Sequence, residues 1–283
     1  MRIGAHAQIW VAPVTGDNLD VIDHTRDLGF EAIDINVAEL PPPFPPAEMR
    51  RRLEAAGVQG SLGSILNAQR DITSEDLACR RAGIEFLQGM VRLCGEVGAK
   101  NLIGPYHSEL RRQRFDSAEV RAERWKRCVE GLAAVAREAE QSGIRMGLEI
   151  LNRYESDFLT TTADGVRLCR EVGSRAMGLL LDTYHMNIEE RRIGDAFRSA
   201  AGYIAHVHTC ENDRGAPGSG HLDWAEIRNA LRDARYEGIC TIESYNPALP
   251  ALAQRCSFWR PLSSNQDDLA REGLAFLRKL FSA

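Results

Sequence analysis

Apolar residues fall along this chain in short runs separated by longer stretches of helical spacing. Eight runs read as strands, at 3–9, 32–37, 58–64, 101–105, 145–151, 177–182, 204–208 and 239–243. Between them the period changes. Over 73–97 the apolar positions Leu77, Ile84, Leu87, Val91 and Cys94 recur at steps that place them on one buried helical face, with Thr73 and Asp76 as a capping pair. A second long helix over 117–142 carries Cys128, Leu132 and Val135 on one side. A last helix over about 267–281 offers Leu269, Leu274, Leu277 and Leu280 to the core.

Seven of the runs follow a glycine that suits the left-handed residue closing a helix: Gly29, Gly57, Gly98, Gly143, Gly173, Gly202 and Gly238. Eight strands alternating with helices in units of this size predict an α/β fold, a single (β/α)8 TIM barrel occupying 1–283 as one domain. A doubly wound open sheet is the alternative. The count of eight, and the absence of a GxGxxG after the first strand, weigh against it. Prolines at 41–43 and 45–46 predict a stiff extended connector into a helix starting near Ala47. Residues 212–221 form a turn-rich loop after the seventh strand.

Composition narrows the function. Forty acidic against 35 basic residues give a net charge of -5, which argues against a surface built for nucleic acid or anionic lipid. Seven scattered cysteines with no CxxC pair fit free thiols, and the N-terminus has no apolar signal region, so a cytoplasmic setting is expected. No run is long and apolar enough to span a membrane.

Barrel enzymes place their chemistry at the C-terminal ends of the strands. Strands five to eight end in Glu149, Asp182, His208 and Glu243, one per βα unit. Glu149 sits among Leu148, Ile150 and Leu151, where a carboxylate is costly to bury without a partner. Three carboxylates and an imidazole suit one hard to borderline divalent cation such as Mn²⁺, Mg²⁺ or Co²⁺. His206, two residues before His208, points the same way and is expected to be a hydrogen-bonded core residue. His185 and Arg214, in loops over the same rim, are placed to donate to a substrate oxygen. Glu189 and Glu190 are expected on a solvated face, His24 at the surface, and His107 and His221 in loops without an assigned role.

The stretches Leu148-Glu-Ile-Leu-Asn-Arg-Tyr-Glu155, Leu181-Asp-Thr-Tyr-His-Met-Asn-Ile-Glu-Glu190 and His206-Val-His-Thr-Cys-Glu-Asn-Asp-Arg214, with Pro217-Gly-Ser-Gly-His221 and Trp259-Arg-Pro-Leu262, carry a resemblance. The chain resembles the ketose 3-epimerases, the D-tagatose/D-psicose (allulose) 3-epimerase group of the xylose isomerase-like barrels. The resemblance covers essentially the whole chain. It implies one divalent cation on Glu149, Asp182, His208 and Glu243, with Glu149 and Glu243 as the two acid/base groups. It also implies His185 and Arg214 on the substrate's O2, Glu155 near C1, and a homodimer or homotetramer.

Trp10 keeps a family tryptophan. His6 stands where the family has an aromatic residue, and Tyr245 replaces a phenylalanine. The loop after strand four and the proline-rich stretch also depart from the pattern. These positions surround the sugar's C4–C6 end, so the resemblance supports the reaction type more than the substrate. The expected activity is metal-dependent epimerisation at C3 of a free ketose. Two alternatives are another proton-transfer isomerase or dehydratase on a keto-sugar or keto-inositol, and a silent sugar-binding protein, which would not need both glutamates.

Overall fold

The computed structural model describes residues 1–282. Eight parallel strands close into a barrel in sequence order: β1 Arg2–His6, β2 Ala32–Asn36, β3 Gln59–Gly63, β4 Asn101–Gly104, β5 Arg145–Glu149, β6 Met177–Asp182, β7 Ile204–His208 and β8 Ile239–Ile242. β8 returns to pair with β1, setting Ala5 opposite Ile242. The fold is a xylose isomerase-like (β/α)8 barrel, as the strand count predicts. Parallel neighbours need a crossover, and helices supply it. They are α1 Val21–Asp27, α2 Pro46–Ala56, α3 Leu77–Val97, α4 Ala118–Ser142, α5 Thr162–Val172, α6 Thr183–Glu189, α7 Ile193–Ser199, α8 Trp224–Asp233, α9 Pro250–Cys256 and α10 Gln266–Ser282.

The core lies between the strands and the inward helix faces. Leu87, Val91 and Cys94 of α3 and Cys128, Leu132 and Val135 of α4 are buried there. Among the described residues no helix is long and apolar enough to cross a membrane.

Several expectations are corrected. Leu77 is half exposed, as the first residue of α3. Thr73 does not cap that helix. The Asp76 carboxylate accepts from the Ala78 amide at 2.8 Å, while Thr73 is bound by Asp71 at 2.7 Å. β1 stops at His6, not at residue 9, because the His6 ring accepts the Gln8 amide at 3.1 Å and starts a 3-10 turn over Ala7–Ile9. Gly238 is not left-handed. α8 ends at Asp233 and Arg235 takes the positive φ of 53°. Glu189 is paired with Arg153 at 2.8 Å, and Glu190 accepts the Thr162 amide at 2.7 Å, so neither is a free solvated charge.

Two features shape the rim. Gly104 ends β4 at φ +120°, and a Cβ there would run into the Ser64 carbonyl oxygen, so only glycine lets the backbones approach. The loops after β4 and β5 are tied by a half-buried ion cluster around the buried Arg124. Arg124 donates to Asp116 at 2.7 Å and to Asp157 at 3.0 Å, and Arg112 bonds the same two carboxylates.

Candidate active site

The register of the last four strands sets the site. Asp182 lies opposite His208, and His208 opposite Thr241, so Glu243, two residues beyond Thr241, points to the same side. Glu149 ends β5. Ligand atoms of Glu149, Asp182, His208 and Glu243 all lie within 4.8 Å of one another, and all four residues are buried. The four strand-end residues singled out from the sequence therefore meet at one place.

His208 shows what the cluster is shaped for. Its Nδ1 faces Glu243 Oε2 at 3.3 Å, Asp182 Oδ2 at 3.6 Å and Glu149 Oε1 at 3.8 Å, yet it is buried without a hydrogen-bond partner. Three carboxylates around one ring nitrogen favour positive charge at that point, whether a proton on the ring or a cation among the four side chains. The donor set, three carboxylates and one imidazole, fits a divalent cation.

The electrostatics of the cluster's own side chains point the same way. Burial, then the charge of Glu243, pushes the Glu149 carboxyl well above the usual range. Burial also pushes Glu243 and Asp182 up, but the Arg214 guanidinium and the neighbouring His208, joined at Asp182 by His185, together outweigh it. Glu243 falls to about 2 and Asp182 well below its usual value. Burial opposes charge on His208, and the surrounding carboxylates, Glu243 foremost, override it and raise it well above its usual value.

Arg214 Nη1 bridges Asp182 Oδ2 at 2.6 Å and Glu243 Oε2 at 2.5 Å, and its guanidinium lies over the Tyr184 ring. Its backbone has φ 70°, a conformation unusual outside glycine. The loop that carries it is organised by Glu211, which accepts from the Trp224 indole, at 2.5 Å, and from the Gly218 amide, at 2.9 Å. His185 Nδ1 accepts the Asn152 amide at 3.1 Å, so the ring proton sits on Nε2. That nitrogen lies 3.1 Å from Arg214 Nη2 and 3.6 Å from Glu149 Oε1. Two donors thus converge where an acceptor oxygen would join them.

Glu149, His185, His208, Arg214 and Glu243 line a cavity of about 480 Å³. Glu155, His6 and Tyr245 line it too, and Asn152 Nδ2 holds Glu155 at 3.1 Å. Trp10 does not line it. Its indole donates to Asp267 at 2.8 Å and packs edge-on against His24, which shares that carboxylate, so Trp10 ties α10 to the barrel. The proline-rich stretch does more than connect: Pro41 and Pro43 wall the cavity while Phe44 is buried.

His206 is a bonded core residue as expected, 2.8 Å from Asp34 and 3.0 Å from Thr241. Sequence reasoning passes over Asp34 itself, although a carboxylate inside the apolar run 32–37 is the same signal that singles out Glu149. His107 lies in the loop after β4, as expected, and is buried there, bonding Ser108 at 2.9 Å.

Comparison with known proteins agrees with this geometry. The family model for the xylose isomerase-like TIM barrel matches residues 22–280. A probable ketose 3-epimerase of Synechocystis sp. is 31% identical over 99% of this chain and 97% of its own length. An L-ribulose 3-epimerase of Mesorhizobium japonicum is 33% identical over 98% of this chain and 93% of its own. A solved L-ribulose 3-epimerase superposes with a TM-score of 0.93 at 32% identity, covering 99% of this chain and 94% of that one. The chain therefore belongs to the ketose 3-epimerases, isomerase-class enzymes of the xylose isomerase-like TIM barrel family.

Proposed function

We propose that this chain epimerises a free ketose at C3 by two-carboxylate proton transfer. The observation that carries the proposal is the pairing of Glu149 and Glu243 across one cation-shaped cluster, beneath the converging donors of His185 and Arg214. Glu149, Asp182, His208 and Glu243 would hold the divalent cation, with Mn²⁺ proposed as the resident ion and Co²⁺ or Mg²⁺ as alternatives. The chemistry such an ion supplies is electrophilic polarisation of the C2 carbonyl, which acidifies the C3–H.

The residues divide the remaining work. Arg214 Nη2 and the His185 Nε2–H take the substrate's O2, where charge develops as the proton leaves. Glu155, at the cavity wall, takes an oxygen near C1. One of Glu149 and Glu243 accepts the C3 proton. The other delivers a proton to the opposite face of the planar enediolate, inverting C3, and the two exchange roles for the other epimer. His6 and Tyr245 line the cavity toward the far end of the sugar.

The experiment is incubation with Mn²⁺ and a panel of ketohexoses and ketopentoses, with products separated by chromatography. The C3 epimer of at least one ketose is expected. An aldose product would make the enzyme an aldose–ketose isomerase, and no product from any ketose would remove the proposal. The homodimer or homotetramer suggested by the family is a separate proposal, checked by light scattering on the eluting peak.

A further inference from the structure

We propose that Asp34 is a positioning residue for the cation site, selecting which nitrogen of His208 faces the cluster. The inference rests on the cation-site reading above. Asp34 lies on β2 and the two histidines on β7, and all three side chains are buried. Asp34 Oδ2 is 2.8 Å from His206 Nε2 and 3.3 Å from His208 Nε2, and the two rings stand edge to face with centroids 5.4 Å apart.

An ionised carboxylate only accepts, so each Nε2 facing it must carry its proton. Two ring nitrogens share the one oxygen Oδ2, and it serves both by accepting an N–H from each. With Nε2–H committed to Asp34, a neutral His208 ring leaves its lone pair on Nδ1. Nδ1 is the nitrogen that faces Glu149, Asp182 and Glu243. The opposite tautomer would aim an N–H at the cation and remove one ligand from the set. His206 shares the carboxylate, and the Thr241 hydroxyl at 3.0 Å helps hold that ring. The triad thus braces the inner side of the ligand cluster from across the barrel.

Carboxylates that orient a ligating histidine are worth about 10- to 100-fold in metal affinity. The test is calorimetric titration of Mn²⁺ into wild type, Asp34→Asn and Asp34→Ala, with thermal unfolding recorded separately. Asn keeps one acceptor oxygen and should weaken binding about 10-fold, and Ala up to about 100-fold. A merely structural role would lower the melting temperature and leave the dissociation constant of the folded protein unchanged, which overturns the proposal. If wild type takes up no Mn²⁺, the cation-site reading falls with it. If wild type binds and both variants bind equally, only the role of Asp34 falls.

A measurement on wild type needs no variant to fold. The ¹⁵N imidazole shifts of the Zn²⁺-loaded protein should show His208 protonated at Nε2 and ligating through Nδ1. The reverse assignment overturns the inference.

Discussion

Replacing Glu149 with glutamine should stabilise the protein when no cation is present and weaken the gain when one is added. Glu149 is buried in a cluster whose ligand atoms lie within 4.8 Å of one another. At an effective dielectric of about 20, two carboxylates at that separation repel by about 3.5 kcal/mol. Burial and the Glu243 charge therefore raise its carboxyl well above 4.5 in the folded state.

The folded protein then binds a proton that the unfolded chain has released, so stability falls as pH rises above 4.5. At pH 7 that cost has a ceiling set by the span from 4.5 to 7, about 2.5 pH units at about 1.4 kcal/mol each, or about 3.5 kcal/mol. A glutamine side chain carries no such linkage, so Glu149→Gln should melt higher than wild type at pH 7 in chelator, by at most about 7 °C at about 2 °C per kcal/mol for a chain of this size. At pH 5 the difference should shrink below about 1 kcal/mol. Mn²⁺ at about a hundred times its dissociation constant should then raise wild type by about 2.7 kcal/mol, and the variant by less. Calorimetric unfolding in chelator and in Mn²⁺, at both pH values, reads all of these states. A variant no more stable than wild type at pH 7 in chelator, or a difference unchanged at pH 5, would refute the reasoning.

Other outcomes follow from single contacts. Arg214→Lys loses the fork that bridges Asp182 and Glu243 and the Nη2 donor beside His185, so turnover should fall about 10²- to 10³-fold in steady-state assays. Gly104→Ala drives a Cβ into the Ser64 carbonyl oxygen and requires φ +120°, which should cost about 1–3 kcal/mol in denaturant unfolding. At Asp267, burial favours the neutral acid, but hydrogen bonds from His24 and Trp10 prevail and hold its carboxyl below the usual value. Asp267→Asn should therefore lose on the order of 1 kcal/mol at neutral pH, and the loss should vanish as pH falls below about 3.8, with kcat unchanged at pH 7.

The barrel was legible because each unit repeats the same grammar of apolar run, helical period and closing residue. The cation cluster was legible because its four members end consecutive strands, where spacing in sequence becomes proximity at the rim. Asp34 carries the same local signal as Glu149, a carboxylate in an apolar run. However, it sits two residues before the end of β2, and its partners are 172 and 174 residues away. Nothing in the order of the chain shows that β2 and β7 face each other across the barrel interior. Trp10 misleads for a related reason: its position after β1 suggests the rim, but its indole is claimed by Asp267 from the last helix. The cavity roles of Pro41 and Pro43 stay hidden because proline content predicts stiffness and says nothing of which wall the stiff segment forms.

The central claim is that Glu149 and Glu243 exchange a proton with C3 from opposite faces. It is tested most directly by deuterium incorporation from D₂O into a turned-over ketose in the presence of Mn²⁺, followed by NMR for wild type and for Glu149→Gln and Glu243→Gln. Wild type should place deuterium at C3 in the epimerised product, and neither variant should yield that product. Epimer formed at near wild-type rate by either variant, or deuterium entering at C1 in place of C3, would contradict the account.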